Sequence, residues 1–120
     1  MIKIKPISIN DCFQGRRFKN NEFKEWQKAV IKEMWFGRQM GGWGKRLVEV
    51  AFRFYLKRPF NSDADNFLKP AQDCLVKAGI LKDDRYVMKV SSEKIKSEEE
   101  GFDFIIKPYK NENQNNGNQK

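Results

Sequence analysis

The stretch Arg46 to Leu56 constrains this chain more than any other. Val48, Val50, Phe52, Phe54 and Leu56 fall on one side and Glu49, Ala51, Arg53 and Tyr55 on the other. That period of two is the mark of a strand with one buried face. Lys57 and Arg58 extend it with charge, and Pro59 ends it because proline has no N–H to give a ladder. The next periodic segment is helical. Phe67, Ala71, Cys74, Leu75 and Ala78 recur on one face, and Gly79 is placed to close the helix. Pro70 is tolerated only in a first turn, which puts it near the third helical position with Asn66 or Phe67 at the cap.

The remaining segments fit around that pair. Ile2 to Ile9 reads as a first strand, short or at an edge because Pro6 interrupts it. Asn10 to Asn20 reads as a basic loop. From Asn21 to Gly37, Phe23, Trp26, Val30, Ile31 and Met34 take helical spacing, while Trp35 and Phe36 widen the apolar face toward a second packing partner. Gln39 to Lys45 is a glycine-rich connection whose order does not match a GxxxxGK phosphate loop. Tyr86 to Ser91 and Gly101 to Lys107 read as a two-stranded hairpin with Lys94 to Glu100 as its charged tip. The sum is an α+β fold: a small mixed β-sheet packed with two main helices. Residues 1–109 form a single domain, and 110–120 form a disordered polar tail without an apolar anchor. Strand, helix and strand over residues 47–91 can form a parallel crossover.

Charge separates the two halves. Residues 1–61 carry 14 Lys/Arg against 5 Asp/Glu, whereas residues 62–120 carry 10 against 11. A basic half facing a polyanion makes nucleic acid the leading partner. The chain has no histidine, and its two cysteines, Cys12 and Cys74, lack CxxC spacing. That argues against a zinc site and removes histidine-based triads and general bases, leaving carboxylates, lysine or metal-bound water for any hydrolysis. No run approaches the ~20 apolar residues of a membrane span, and no secretory leader opens the chain, so the expected location is the cytoplasm.

Within this basic chain, Asp63, Asp65, Asp83 and Asp84 cluster at the two ends of the second helix, with Lys69 one turn after Asp65. An extended segment would put Asp63 and Asp65 on the same side. Asp84 rejoins them only if the chain turns back to the same end of the sheet, and only one of the neighbours Asp83 and Asp84 can face inward. Three carboxylates suit Mg²⁺ or Mn²⁺, which prefer oxygen donors and would turn local repulsion of phosphate into attraction. Two other readings stay open: Asp and Asn cap helices and occupy turns, and Lys69 can be an ordinary surface lysine paired with an Asp. The missing central glycine and terminal bidentate Glu disfavour an EF-hand.

The block Asp63-Ala64-Asp65-Asn66-Phe67-Leu68-Lys69, the helix end Leu75-Val76-Lys77-Ala78-Gly79 and the pair Asp83-Asp84 together resemble the RusA family of Holliday junction resolvases, as does Pro6-Ile7-Ser8-Ile9-Asn10 near the start. The resemblance runs over roughly residues 2–107 and is strongest from 58 to 91. It implies an α+β homodimer, intertwined, that binds four-way DNA junctions and nicks opposing strands with Mg²⁺ or Mn²⁺. By motif position it implies Asp63, Asp65 and Asp84 as metal ligands and Lys69 as the essential lysine, with Asn66 and Asp83 in support. It also implies a setting in a bacterial cell or a phage-infected bacterium, with phage or prophage origin. Ser62 departs from the basic residue that many relatives carry before the first Asp, and Pro70 departs from their Ala-rich helix. Arg16, Arg17, Lys19, Lys57 and Arg58 are the candidate contacts to the DNA backbone, followed by Arg46 and Arg53. Two rivals carry different consequences: a metal-dependent nuclease for flap or branched DNA, and a noncatalytic junction-binding architectural protein.

Overall fold

The computed structural model describes residues 1–9, 21–35 and 42–110 in full, and residues 13–14, 18–19 and 36–37 in backbone only. Its elements in chain order are β1 (Phe13–Gln14), β2 (Phe18–Lys19), α1 (Asn21–Gly37), β3 (Val48–Leu56), α2 (Leu68–Lys77), β4 (Val87–Lys96) and β5 (Gly101–Pro108). Short 3-10 turns cover Pro59–Asn61, Ala64–Phe67 and Asp84–Tyr86.

The central strand is the one whose alternation is cleanest. β3 lies between β4, parallel to it, and β5, antiparallel to it. Val48, Val50, Phe52, Phe54 and Leu56 are all buried on the face that both helices cover. Phe54 packs in tilted geometry against Phe67 and Phe102 at ring-centroid distances of 5.4 and 6.1 Å. Val30 and Met34 of α1 and Ala71, Cys74 and Leu75 of α2 complete the core. A buried Phe or Leu contributes about 1.5–3 kcal/mol, so this layer supplies most of the drive to fold.

Four expectations change. β4 and β5 are not a hairpin: they flank β3, and the turn between them passes over its end, where the Ser97 N–H donates to the Leu56 carbonyl at 2.9 Å. The middle position goes to the strand with the most apolar face, while β4, with its exposed lysines, takes an edge. β4 therefore runs on through Lys96, and Lys94 to Lys96 belong to the strand rather than to a tip. At the N-terminus, Ile2 makes an isolated antiparallel bridge to Phe102 and no full strand follows, as Pro6 foreshadows. Part of the expected basic loop pairs its backbone instead, Phe13 with Lys19 and Gln14 with Phe18.

The helices keep their expected limits. Pro70 is the third residue of α2, after Phe67 at the cap. At the other end Gly79 takes φ +79°, and the N–H groups of Ile80 and Leu81 both return to the Leu75 carbonyl at 3.0 and 3.1 Å. This left-handed closure, easy only for glycine, turns the chain back along α2 toward Asp84. Trp35 is 58% exposed, while its indole N–H donates to the Ala78 carbonyl at 3.0 Å. The expected tail from residue 111 lies outside the described residues.

Candidate functional site

β4 organises the site, because alternate residues on its helix-facing side each hold a different piece of the segment that follows β3. The Ser92 hydroxyl donates to Asp65 Oδ1 at 3.3 Å. Two residues on, Lys94 Nζ donates to the carbonyls of Pro59 at 2.6 Å and Ser62 at 2.8 Å, gripping both ends of the turn before Asp63. Two further, Lys96 Nζ donates to the Lys57 carbonyl at 3.2 Å. The period of two thus lays the acidic block along the strand.

Asp63 has extended backbone, and its carbonyl accepts the Asn66 N–H at 3.1 Å. Its carboxylate caps nothing and is exposed, so helix capping does not account for it. Asp65 lies inside the 3-10 turn, so the extended geometry expected for the pair does not hold; β3 ends at Leu56 and the chain is already coiling toward α2. Asn66 therefore contributes a backbone N–H to the turn.

Asp84 comes back to the first turns of α2. Its Oδ2 accepts from Lys69 Nζ at 3.5 Å and its Oδ1 from Gln72 Nε2 at 3.4 Å. Lys69 also pairs with Asp73 at 3.2 Å, one turn along the helix. The hydrogen bond and charge of Asp73, with Asp84 second, hold the Lys69 ammonium above its ordinary pKa. Asp83 faces elsewhere: its carboxylate accepts the Arg85 N–H at 3.0 Å, and that bond is the main reason its pKa lies below the usual carboxylate value. The neighbouring acids divide, one turned to its own turn and one to α2.

These contacts bring Lys69 and Asp84 together and set Asp65 against β4. Among the described residues, no group of three or more acidic side chains closes on a cation-sized space. The donor chemistry nevertheless suits a hard cation. All three candidate ligands are carboxylates, Asp63 has no side-chain partner among the described residues, and the contacts of Asp65 and Asp84 are long. Lys69 meanwhile supplies the positive charge that Asp84 meets.

Beside Asp63 a cleft of about 440 Å³ opens at the end of β3, with Lys5, Lys57, Arg58, Asn61, Ser62 and Glu100 on its walls. The Lys57 N–H donates to Glu100 at 3.2 Å, so this acid ties down the strand end. Lys57 and Arg58 are exposed at the cleft. Arg46 lies over the Trp43 ring at 4.7 Å. Arg53 is engaged on the opposite sheet face, its guanidinium forked onto Asp103 at 2.9 and 3.1 Å. Arg16 and Arg17 lie outside the described residues, and of Lys19 only the backbone is described.

The model of the family described as Endodeoxyribonuclease RusA matches residues 13–107, most of the chain. The chain belongs to the RusA family. Membership brings the general activity, a RusA-type nuclease acting on DNA. No curated protein sequence matches the chain. No helix among the described residues is long and apolar enough to cross a membrane. The RusA match spans β3, α2 and β4 and the turns between them, and so includes Asp63, Asp65, Lys69 and Asp84. Sequence reasoning missed Gln72, Asp73 and Ser92 as partners of Asp84, Lys69 and Asp65, and Lys94 as the residue that holds the turn before Asp63. The four-residue spacing of Lys69 and Asp73 was a usable signal. Nothing local marked Ser92 or Lys94, which meet the block only through the parallel pairing of β4.

Proposed function

We propose that this RusA-type nuclease is a structure-selective endodeoxyribonuclease that resolves four-way DNA junctions. It acts as a homodimer, making paired nicks by metal-dependent hydrolysis that leaves 5′-phosphate and 3′-hydroxyl ends. The supporting observation is the return of Asp84 to Lys69 across 15 residues, at the helix that Asp63 and Asp65 precede. A chain with this many basic residues gains little from an exposed Asp63 directly after a basic cleft unless that acid serves a cation.

Asp63, Asp65 and Asp84 are the residues that would hold Mg²⁺ or Mn²⁺. Such an ion, when bound, polarises the phosphodiester and lowers the pKa of the attacking water. The chain's own groups do the rest. Lys69, exposed and held protonated by Asp73 and Asp84, presents an ammonium that can meet charge growing on phosphate oxygens. Lys57 and Arg58 steer the backbone into the cleft, an effect on affinity and salt dependence and not on chemistry at saturating DNA. No side chain here is placed to form a covalent intermediate by a histidine-assisted route, since the chain has no histidine. A two-fold dimer would present two such sites to a nearly two-fold junction.

The test compares a four-way junction, a flap and a linear duplex at equal concentration with Mg²⁺, mapping nicks on every strand, alongside Asp65→Asn. Symmetric nicks on the junction, lost in the variant while binding persists, are expected. Preferential cutting of the flap or duplex would overturn junction resolution. Binding with no cutting in either Mg²⁺ or Mn²⁺ would make the protein an architectural one.

A further inference from the structure

Phe60 is 91% exposed, the most solvent-open large apolar side chain among the described residues. It stands three residues before Asp63, at the middle of the Pro59–Asn61 turn. Floppiness does not explain that exposure. Pro59 is buried beneath it, and Lys94 binds the carbonyls on both sides, so the turn is pinned from below and the ring points away from the core. The other phenylalanines whose side chains are described, Phe23, Phe52, Phe54, Phe67, Phe102 and Phe104, all pack against another aromatic ring, whereas no such ring contact is made by Phe60 among the described residues.

Its surroundings say what could cover it. Arg58 precedes it by two residues and Lys57 by three, both exposed, and the cleft they line with Lys5 begins at Asn61 and Ser62. A basic rim around one planar apolar group suits a ligand that is anionic along its length and carries flat apolar faces. A nucleotide strand has that chemistry, and base–aromatic stacking tolerates any sequence. A stacked duplex offers no open base face. A branch point whose arms are unstacked does, because bases there lack a neighbour on one side.

We propose, resting on the branched-DNA reading above, that Phe60 is a stacking platform for a nucleobase exposed at the branch point. It fixes the adjoining phosphodiester beside Asp63 and Asp65. Phe60 thereby contributes to selectivity for branched over continuous DNA. The rigid turn matters because a platform that has to be ordered on binding would lose part of the stacking free energy.

The test places 2-aminopurine at the branch of a four-way junction and, separately, within a linear duplex, and compares wild type with Phe60→Ala, Phe60→Leu and Phe60→Trp. Binding is read by fluorescence without a divalent cation, and cleavage separately with Mg²⁺. Wild type is expected to change the probe's emission at the branch, and Phe60→Ala to abolish that change and slow junction cleavage at least about ten-fold. Leu should fail to rescue and Trp should rescue, with duplex affinity the same in all four proteins. Thermal unfolding should be unaltered, because the ring is exposed.

Phe60→Ala behaving as wild type in both readouts would overturn the platform while leaving junction resolution standing. So would equal loss on duplex and junction, or a change in sedimentation with DNA behaviour intact, which would make Phe60 a general or subunit contact. A Phe60-dependent signal and cutting confined to a flap would keep the platform and remove the four-way junction reading.

Discussion

Two lysines, twenty-five positions apart, bind protein oxygens on either side of the acidic block in opposite ways. Lys94 is half-buried and donates to two backbone carbonyls at 2.6 and 2.8 Å. Lys69 is exposed and shared between two carboxylates at 3.2 and 3.5 Å. Lys94 thus joins both ends of the turn carrying Phe60 and leading to Asp63. Carboxylates at an open surface exchange partners readily, and screened pairs of this kind add little to stability. The first lysine builds the site; the second is available to act in it.

The sharpest way to break this contrast is on the acidic side. Asp84→Asn keeps the shape of the Lys69 partner and removes its charge. Junction cleavage should fall by roughly 10²–10³-fold, the size seen when one group stabilising a transition-state charge is lost, with DNA binding largely retained. Cleavage measured at saturating DNA checks this, and an unchanged rate would remove Asp84 from the machinery. On the structural side, Lys94→Met should lower stability by about 1.5–3 kcal/mol in urea unfolding, because it leaves two carbonyls without a charged donor. If it unfolds like wild type, the pin is no pin.

Lys69→Met sharpens the contrast from the other direction. Its loss of stability should stay under about 0.5 kcal/mol, as for an exposed helix pair, while cleavage drops. A stability loss matching that of Lys94→Met would erase the distinction. The smallest effect lies away from both lysines, on the open sheet face. There Tyr55 donates to Asp103 Oδ2 at 3.0 Å, and burial, then this bond, raises the phenol above its ordinary pKa of 10.0. A raised folded-state pKa contributes stability that is complete below the unfolded value and fades as pH rises through the folded one. Tyr55→Phe should therefore flatten the decline of stability above pH 10 without touching cleavage. Unfolding midpoints across that range check it.

Much of the architecture could be read from local pattern. The alternation in β3, the helical stripe of α2, the place of Pro70 in its first turn and the closing role of Gly79 are each set within a few residues. The α+β reading and the two helices hold for that reason. Strand order did not yield to the same reasoning. β4 and β5 are joined by a short charged turn that looks like a hairpin tip, and only competition for the apolar centre of the sheet separates them. The acids follow the same division: their residue types and spacing carried the chemistry, but the 3-10 conformation at Asp65 and the Ser92 contact arise from how the segment lies across β4.

By itself, then, the chain's order of residues determined which segments become strands or helices, which residue types are available for chemistry, and the RusA family to which they belong. Those are matters of periodicity, backbone restriction and motif spacing. Tertiary structure alone decided that Asp84 meets Lys69, that Lys94 grips the turn from an edge strand, and that Phe60 is left facing solvent. Each depends on pairing between residues far apart in the chain, whose contact free energy exists only once the parallel register of β3 and β4 has formed.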